Sequence, residues 1–119
     1  MTTQQIADRL IELCNKGDFE TAQKELYADD AVSIEPQARP GMEKETKGLE
    51  AIIQKGKIFM SMVQEVHSSE ISAPIVAPNS FAIRFNLDIT MKERGRMPMS
   101  ELCIYDIKDG KIISESFHM

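Results

Sequence analysis

From Phe81 to Lys92 the chain alternates without a break. Phe81, Ile83, Phe85, Leu87, Ile89 and Met91 are apolar, while Ala82, Arg84, Asn86, Asp88, Thr90 and Lys92 fill the places between. A run of period two this long specifies a strand with one greasy face, and its backbone groups need a neighbouring strand. The segment that follows supplies it. A Glu93-Arg94-Gly95 loop with Gly95 at positive φ sets Lys92 opposite Arg96, and the greasy face continues as Met97, Met99, Glu101, Cys103, Tyr105 and Ile107. In that register Glu101 stands opposite Leu87. Burying a lone ionised carboxylate costs so much that the group neutralises or finds a partner, so a glutamate on this face marks chemistry.

A second hairpin turns at Lys108-Asp109-Gly110 and admits two registers. A three-residue loop points Ile113, Glu115, Phe117 and Met119 inward. A two-residue Asp109-Gly110 loop points Ile112, Ser114, Ser116 and His118 there instead. The first set makes the better apolar wall. It sets Cys103 opposite Glu115, with Glu101 one diagonal away at roughly 7 to 8 Å between backbone positions. Two carboxyl groups then share one apolar wall.

The remaining 80 or so residues are organised differently, and the pattern changes to helical spacing. Ile6, Leu10, Leu13 and Cys14 share one face of a helix from about Thr3 to Lys16, stopped by Gly17. Asp18 caps a second helix to about Tyr27, with Phe19, Ala22 and Leu26 inward. Ala31 to Glu35 reads as a short strand ended by Pro36, and Gln37 to Lys47 as a loop or partial lid. A third helix spans about Leu49 to Val63. Pro74 and Pro78 make the segment from Val66 to Ala77 an irregular or edge strand. Helices followed by an antiparallel run define an α+β fold, with helices covering the concave face of a curved sheet.

Length and charge narrow the function. At 119 residues there is room for one domain, residues 1–119, and 42% hydrophobic content is that of an ordinary globular chain. A net charge of -5 with no basic run argues against nucleic acid. No apolar run approaches the roughly 18 residues of a membrane span, and Gln4, Gln5, Asp8, Arg9 and Glu12 are too polar for a secretory leader. A cytoplasmic protein is expected. Cys14 and Cys103 lack metal-ligand spacing and read as reduced core thiols, and neither His67 nor His118 has a partner at ligand spacing, so no metal site is expected.

Three segments in order carry a family resemblance: Tyr27-Ala28-Asp29-Asp30-Ala31-Val32-Ser33-Ile34-Glu35-Pro36, Gly48-Leu49-Glu50-Ala51-Ile52, and Asp109-Gly110-Lys111-Ile112. The chain resembles the nuclear transport factor 2-like superfamily, in its SnoaL-like branch. The resemblance implies a cone, in which a bent antiparallel sheet wraps around a long helix, with three N-terminal helices and a blind pocket near the first strand. It implies further that Glu35 matches the proton-shuttling carboxylate of ketosteroid isomerases, and Glu101 the acid that donates to the developing oxyanion. Leu10 stands where those isomerases carry a tyrosine.

These readings point to a pocket for a small hydrophobic molecule, worked by carboxyl acid–base catalysis without a cofactor, as in an isomerase, cyclase or dehydratase. Glu35 acts as base and Glu101 as acid. Tyr105 supplies a second donor, and Glu115 holds Glu101 protonated or binds a polar substituent. Phe59, Phe85, Leu87, Met97, Met99 and Phe117 form the walls with Cys103, and the methionines suit an irregular ligand. The alternative is a non-catalytic ligand-binding or accessory module. Leu102, Ile104 and Ile112, with His118, make the outer sheet face too apolar for water, so a homodimer through that face is expected.

Overall fold

The structure, a computed structural model, describes residues 1–38 and 43–119. Helix α1 spans Thr3–Asn15 and opens on a reciprocal cap: the Gln5 amide donates to the Thr2 hydroxyl (3.1 Å), and the Thr2 amide donates to the Gln5 side chain (2.9 Å). Its stripe of Ile6, Ala7, Leu10 and Leu13 is buried. Gly17, at φ 77, ends the helix and turns the chain into α2, Phe19–Leu26. Strand β1, Tyr27–Ile34, follows directly, and β2, Glu45–Lys47, pairs with it antiparallel. Part of the loop expected over Gln37 to Lys47 is therefore a strand; residues 39–42 of it lie outside the described residues. Helix α3, Leu49–Ser61, starts at Gly48, whose amide donates to Ala31 of β1 (2.8 Å).

The segment expected as one irregular or edge strand from Val66 to Ala77 is two strands, β3 (Val63–Ile71) and β4 (Ile75–Ala77), parted around Pro74. Strands β5 (Ser80–Met91), β6 (Gly95–Lys108) and β7 (Lys111–His118) complete a seven-stranded sheet in the order β2-β1-β7-β6-β5-β3, with β4 also on β5. The fold is α+β with a curved, open sheet. Three details differ from expectation. The sheet is mixed, because β1 runs parallel to β7. No described helix is longer than the 13 residues of α1 and α3, and α3 follows two strands rather than preceding the sheet. Among the described residues no helix is long and apolar enough to cross a membrane.

Both hairpins keep the expected inward face and change the expected pairing. In the first, Met91 pairs with Gly95 around a Lys92-Glu93-Arg94 loop, so Glu101 faces Phe85 rather than Leu87. A shift of two residues leaves every side chain on its face. In the second, the turn is the two-residue one, with Lys108 opposite Lys111 and both Asp109 (φ 53) and Gly110 (φ 74) left-handed. Ile112 is accordingly buried, but the pairing slips at Ile113, an extra residue on β7. The bulge reverses the alternation and turns Glu115 inward as well. Glu115 faces Tyr105, and Cys103 faces Phe117. The core beneath gathers Ile6, Leu26, Ile52, Phe81 and Ile112, each contributing about 1.5–3 kcal/mol by burial.

Candidate functional site

Between α1, α2 and the inner sheet face lies a cavity of about 140 Å³. Phe85, Glu101, Cys103 and Phe117 line its sheet side, with Tyr105 and Glu115 beside them. Leu10, Cys14 and Phe19 close it from the helices. Leu10, at the position of the isomerase tyrosine, thus puts an apolar side chain on the wall. Phe59, Leu87, Met97 and Met99 lie outside this lining. The last three do sit on the same face of the β5–β6 hairpin, but toward its loop, beyond the part of the sheet that bounds the cavity.

Glu115 is the centre of the site. It is 4% exposed, and both of its oxygens accept hydrogen bonds, Oε1 from the Tyr27 hydroxyl and Oε2 from the Ser33 hydroxyl (2.9 Å). The chain continues outward: Lys55 Nζ on α3 donates to Ser33 Oγ (2.7 Å) and to Glu35 Oε1 (2.9 Å). Lys55 also lies 5.7 Å from the centre of the Phe117 ring. Burial pushes the Glu115 pKa up. Its bonds from Tyr27 and Ser33 and the Lys55 charge oppose that shift, while Glu35 reinforces it. Burial, then the neighbouring Glu115 charge, pushes the Tyr27 hydroxyl far up, and the same two causes raise the Cys14 thiol to about 12. Both cysteines are free and held as inert thiols, Cys103 raised chiefly by burial.

Glu101 is half-buried, and the Cys103 thiol is 3.9 Å from its Oε1. It lies four residues along β6 from Tyr105, the residue facing Glu115, which is about 14 Å at strand rise. The two glutamates share the cavity, but they are two steps apart rather than one diagonal. Tyr105 is buried and stacks on Phe81, with ring centres 4.7 Å apart. Glu35 is not on the cavity wall and connects to it through Lys55 and Ser33. His67 is bonded to Glu65 (2.8 Å) and Thr90 (2.6 Å) on the outer strands. Among the described residues no cluster of His, Cys, Asp and Glu could hold a metal ion.

Tyr27, Ser33 and Lys55 were not expected at the site. Two of them left a trace in the pattern. Ala31 and Ser33 alternate on the buried face of β1, and Lys55 follows the buried Ile52 by three residues on α3.

Helices closing an apolar cavity with a buried carboxyl, Glu115, against a curved mixed sheet give the nuclear transport factor 2-like fold. Within that class the chain belongs to the SnoaL-like domain family, whose model matches residues 1–119. A candidate SnoaL-like polyketide cyclase from Mesorhizobium loti is 36% identical, with each chain covered completely and a TM-score of 0.91. A candidate isomerase from Bacillus subtilis shares the fold at 21% identity and TM-score 0.74, over 98% of this chain and 88% of that one. So does a ketosteroid isomerase-like protein from Catenulispora acidiphila, solved with trimethylamine, at 15% identity and TM-score 0.67 over 84% and 73%. No curated protein matches the sequence significantly.

Proposed function

We propose that the protein binds a small molecule in this cavity and moves a proton on it, with Glu115 as the base. The observation that carries this is a buried carboxyl on an apolar wall whose two oxygens are fixed by Tyr27 and Ser33. An ionised Glu115 takes a proton from carbon beside a carbonyl. The C–H electron pair moves toward the carbonyl oxygen, and Glu101 or the Tyr105 hydroxyl donates to the oxygen that gains charge. Such enolisation underlies isomerisation and ring closure alike, and it agrees with the candidate cyclase and isomerase among the similar structures. Fold likeness alone would not choose this chemistry.

Deuterium exchange tests the step without a known substrate. Cyclohexanone, small enough for about 140 Å³, is incubated with the protein in heavy water and its α-positions are followed by NMR. Catalysed exchange that falls by about 100-fold or more in Glu115→Gln is the expected result. Exchange no faster than with free acetate, or unchanged in the variant, leaves ligand holding without reaction, a reading that the fully bonded state of Glu115 also fits.

We also infer a homodimer through the outer sheet face. Leu102, 51% exposed, and the half-buried Ile104 lie there, while Ile112, expected beside them, is buried inside.

A further inference from the structure

We propose that Lys55 is the positioning residue of this site: acting through Ser33 it holds Glu115 in the ionised form that accepts a proton, and Glu35 on its outer side tunes that hold. The inference rests on the reading of Glu115 as the base and names what regulates it.

Hydrogen counting gives the chain its direction. Lys55 stands one turn after the buried Ile52, on the packed side of α3, where a lysine is rarely found without a partner. Its ammonium has three hydrogens and no lone pair, so it can only donate to Ser33 Oγ (2.7 Å). A serine hydroxyl carries one hydrogen. With Lys55 on one of its lone pairs, Ser33 turns that hydrogen to Glu115 Oε2 (2.9 Å). The Tyr27 hydroxyl covers Oε1 in the same sense. Glu115 thus faces two donors, which suits a carboxylate, whereas a protonated carboxyl has to donate from one of those oxygens and needs a hydroxyl to turn. Without the Lys55 hydrogen, Ser33 is freer to turn and accept.

Charge works in the same direction. Two hydrogen bonds in series span no more than about 6 Å, the range over which an opposite charge favours an ion. The side chains of Lys55 and Glu35 are 17% and 19% exposed, so solvent screens them only in part. Glu35 takes a second Lys55 hydrogen (2.9 Å), and its negative charge opposes the effect of Lys55 on Glu115. The other titratable groups around Glu115 are Cys14 on α1, Tyr27 on β1, and Cys103, Tyr105 and the more distant Glu101 on β6. Burial raises the two thiols and two hydroxyls, which stay neutral. Beyond Lys55, the surface groove that it borders carries Glu43, Lys44, Glu45 and Lys47, two charges of each sign. The cation whose charge reaches Glu115 is Lys55.

Titration of the full chain by NMR, with its glutamate side-chain carboxyls isotopically labelled, follows Glu115 directly; its resonance is the one lost in Glu115→Gln. Lys55→Met, similar in shape and uncharged, is expected to move the Glu115 midpoint up by at least about one pH unit, and Lys55→Arg to keep it within about half a unit of wild type. Glu35→Gln removes the opposing charge while Lys55 stays, and the midpoint is expected to fall. A loosened structure would move the methionine and glutamine variants the same way. A midpoint unmoved in Lys55→Met, or displaced in one direction by both, overturns the proposal. If Lys55→Met folds poorly, the other two decide: a midpoint that does not fall in Glu35→Gln, or that Lys55→Arg raises by a full unit, overturns it. No substrate enters this titration. Cyclohexanone exchange without the shifts overturns this inference alone, and the shifts without exchange uphold it and overturn the proton chemistry alone.

Discussion

Glu115 is costly to hold as an anion, and that cost has a pH signature. Its carboxyl titrates above the ordinary 4.5 in the folded chain, chiefly through burial. Between the two values the folded state binds more protons than the unfolded, so stability falls as pH rises. The contribution of Glu115 is thus fully present below about pH 4.5 and lost as pH rises through the raised native value. Glu115→Gln removes this slope. Its NH2 stands where the protonated carboxyl has its O–H, and a Tyr27 or Ser33 hydroxyl can accept from it, so in the acid range the variant resembles wild type. Urea unfolding at a series of pH values should show the two closest in acid, with wild type falling below the variant as pH rises toward neutral and alkaline values. Glu20, Glu25 and Asp88, whose values are lowered by Lys24, Arg9 and Arg96, are common to both proteins and cancel. A gap constant across the range means Glu115 is not perturbed. At this scale the sequence exposed the glutamates but not their partners, because a donor such as Ser33 is chosen by the strand that lands beside it, and β1 meets β7 from the far end of the chain.

At the scale of elements, the β6–β7 hairpin decides which way Glu115 points. Its turn requires two left-handed residues, and Asp109 at φ 53 is the non-glycine among them. Asp109→Val should cost roughly 1–2 kcal/mol, because a β-branched side chain crowds the backbone in that conformation, whereas Asp109→Asn should cost less than about 0.5 kcal/mol. Guanidinium unfolding midpoints compare them; a valine variant as stable as wild type shows that the turn is not left-handed. The alternation along β5 and β6 was plain in the sequence because, Glu101 apart, the inward residues are apolar or aromatic along each strand. The pairing was not, since a three-residue loop can include or exclude Gly95, which has its expected positive φ at the first paired position. Neither register weighed for the second hairpin describes it alone. Ile112 is inward as the short loop demands, Glu115 as the long loop demands, and Ile113 absorbs the difference. A bulge between Ile112 and Ser114 leaves no compositional mark, so only the paired structure reveals it. The parallel β1–β7 contact was hidden for a related reason: strand order is a long-range choice that local periodicity does not encode.

For the whole molecule, the sheet separates two surfaces with different demands. Helices and cavity occupy the inner face, and the outer face carries Leu102 opposite His118 and Ile104 opposite Ser116, with Arg84 across from Leu102 on β5. In a two-fold dimer each of these residues meets the same patch of the partner, so a single substitution acts twice. A stable interface buries about 800 Å² per partner, roughly a ninth of the 7164 Å² surface of one chain, which one sheet face can supply. Leu102→Glu places two carboxylates where two apolar side chains would pack, while its exposure of 51% in the single chain leaves the monomer's core intact. Sedimentation at tens of micromolar should therefore give wild type at twice the 13.4 kDa of one chain and Leu102→Glu at 13.4 kDa, with unchanged thermal unfolding of the separated chain. Because the cavity is lined from the inner face alone, the monomeric variant should keep the exchange activity on cyclohexanone. Wild type sedimenting as a single chain, or Leu102→Glu remaining a dimer, would place association elsewhere or remove it.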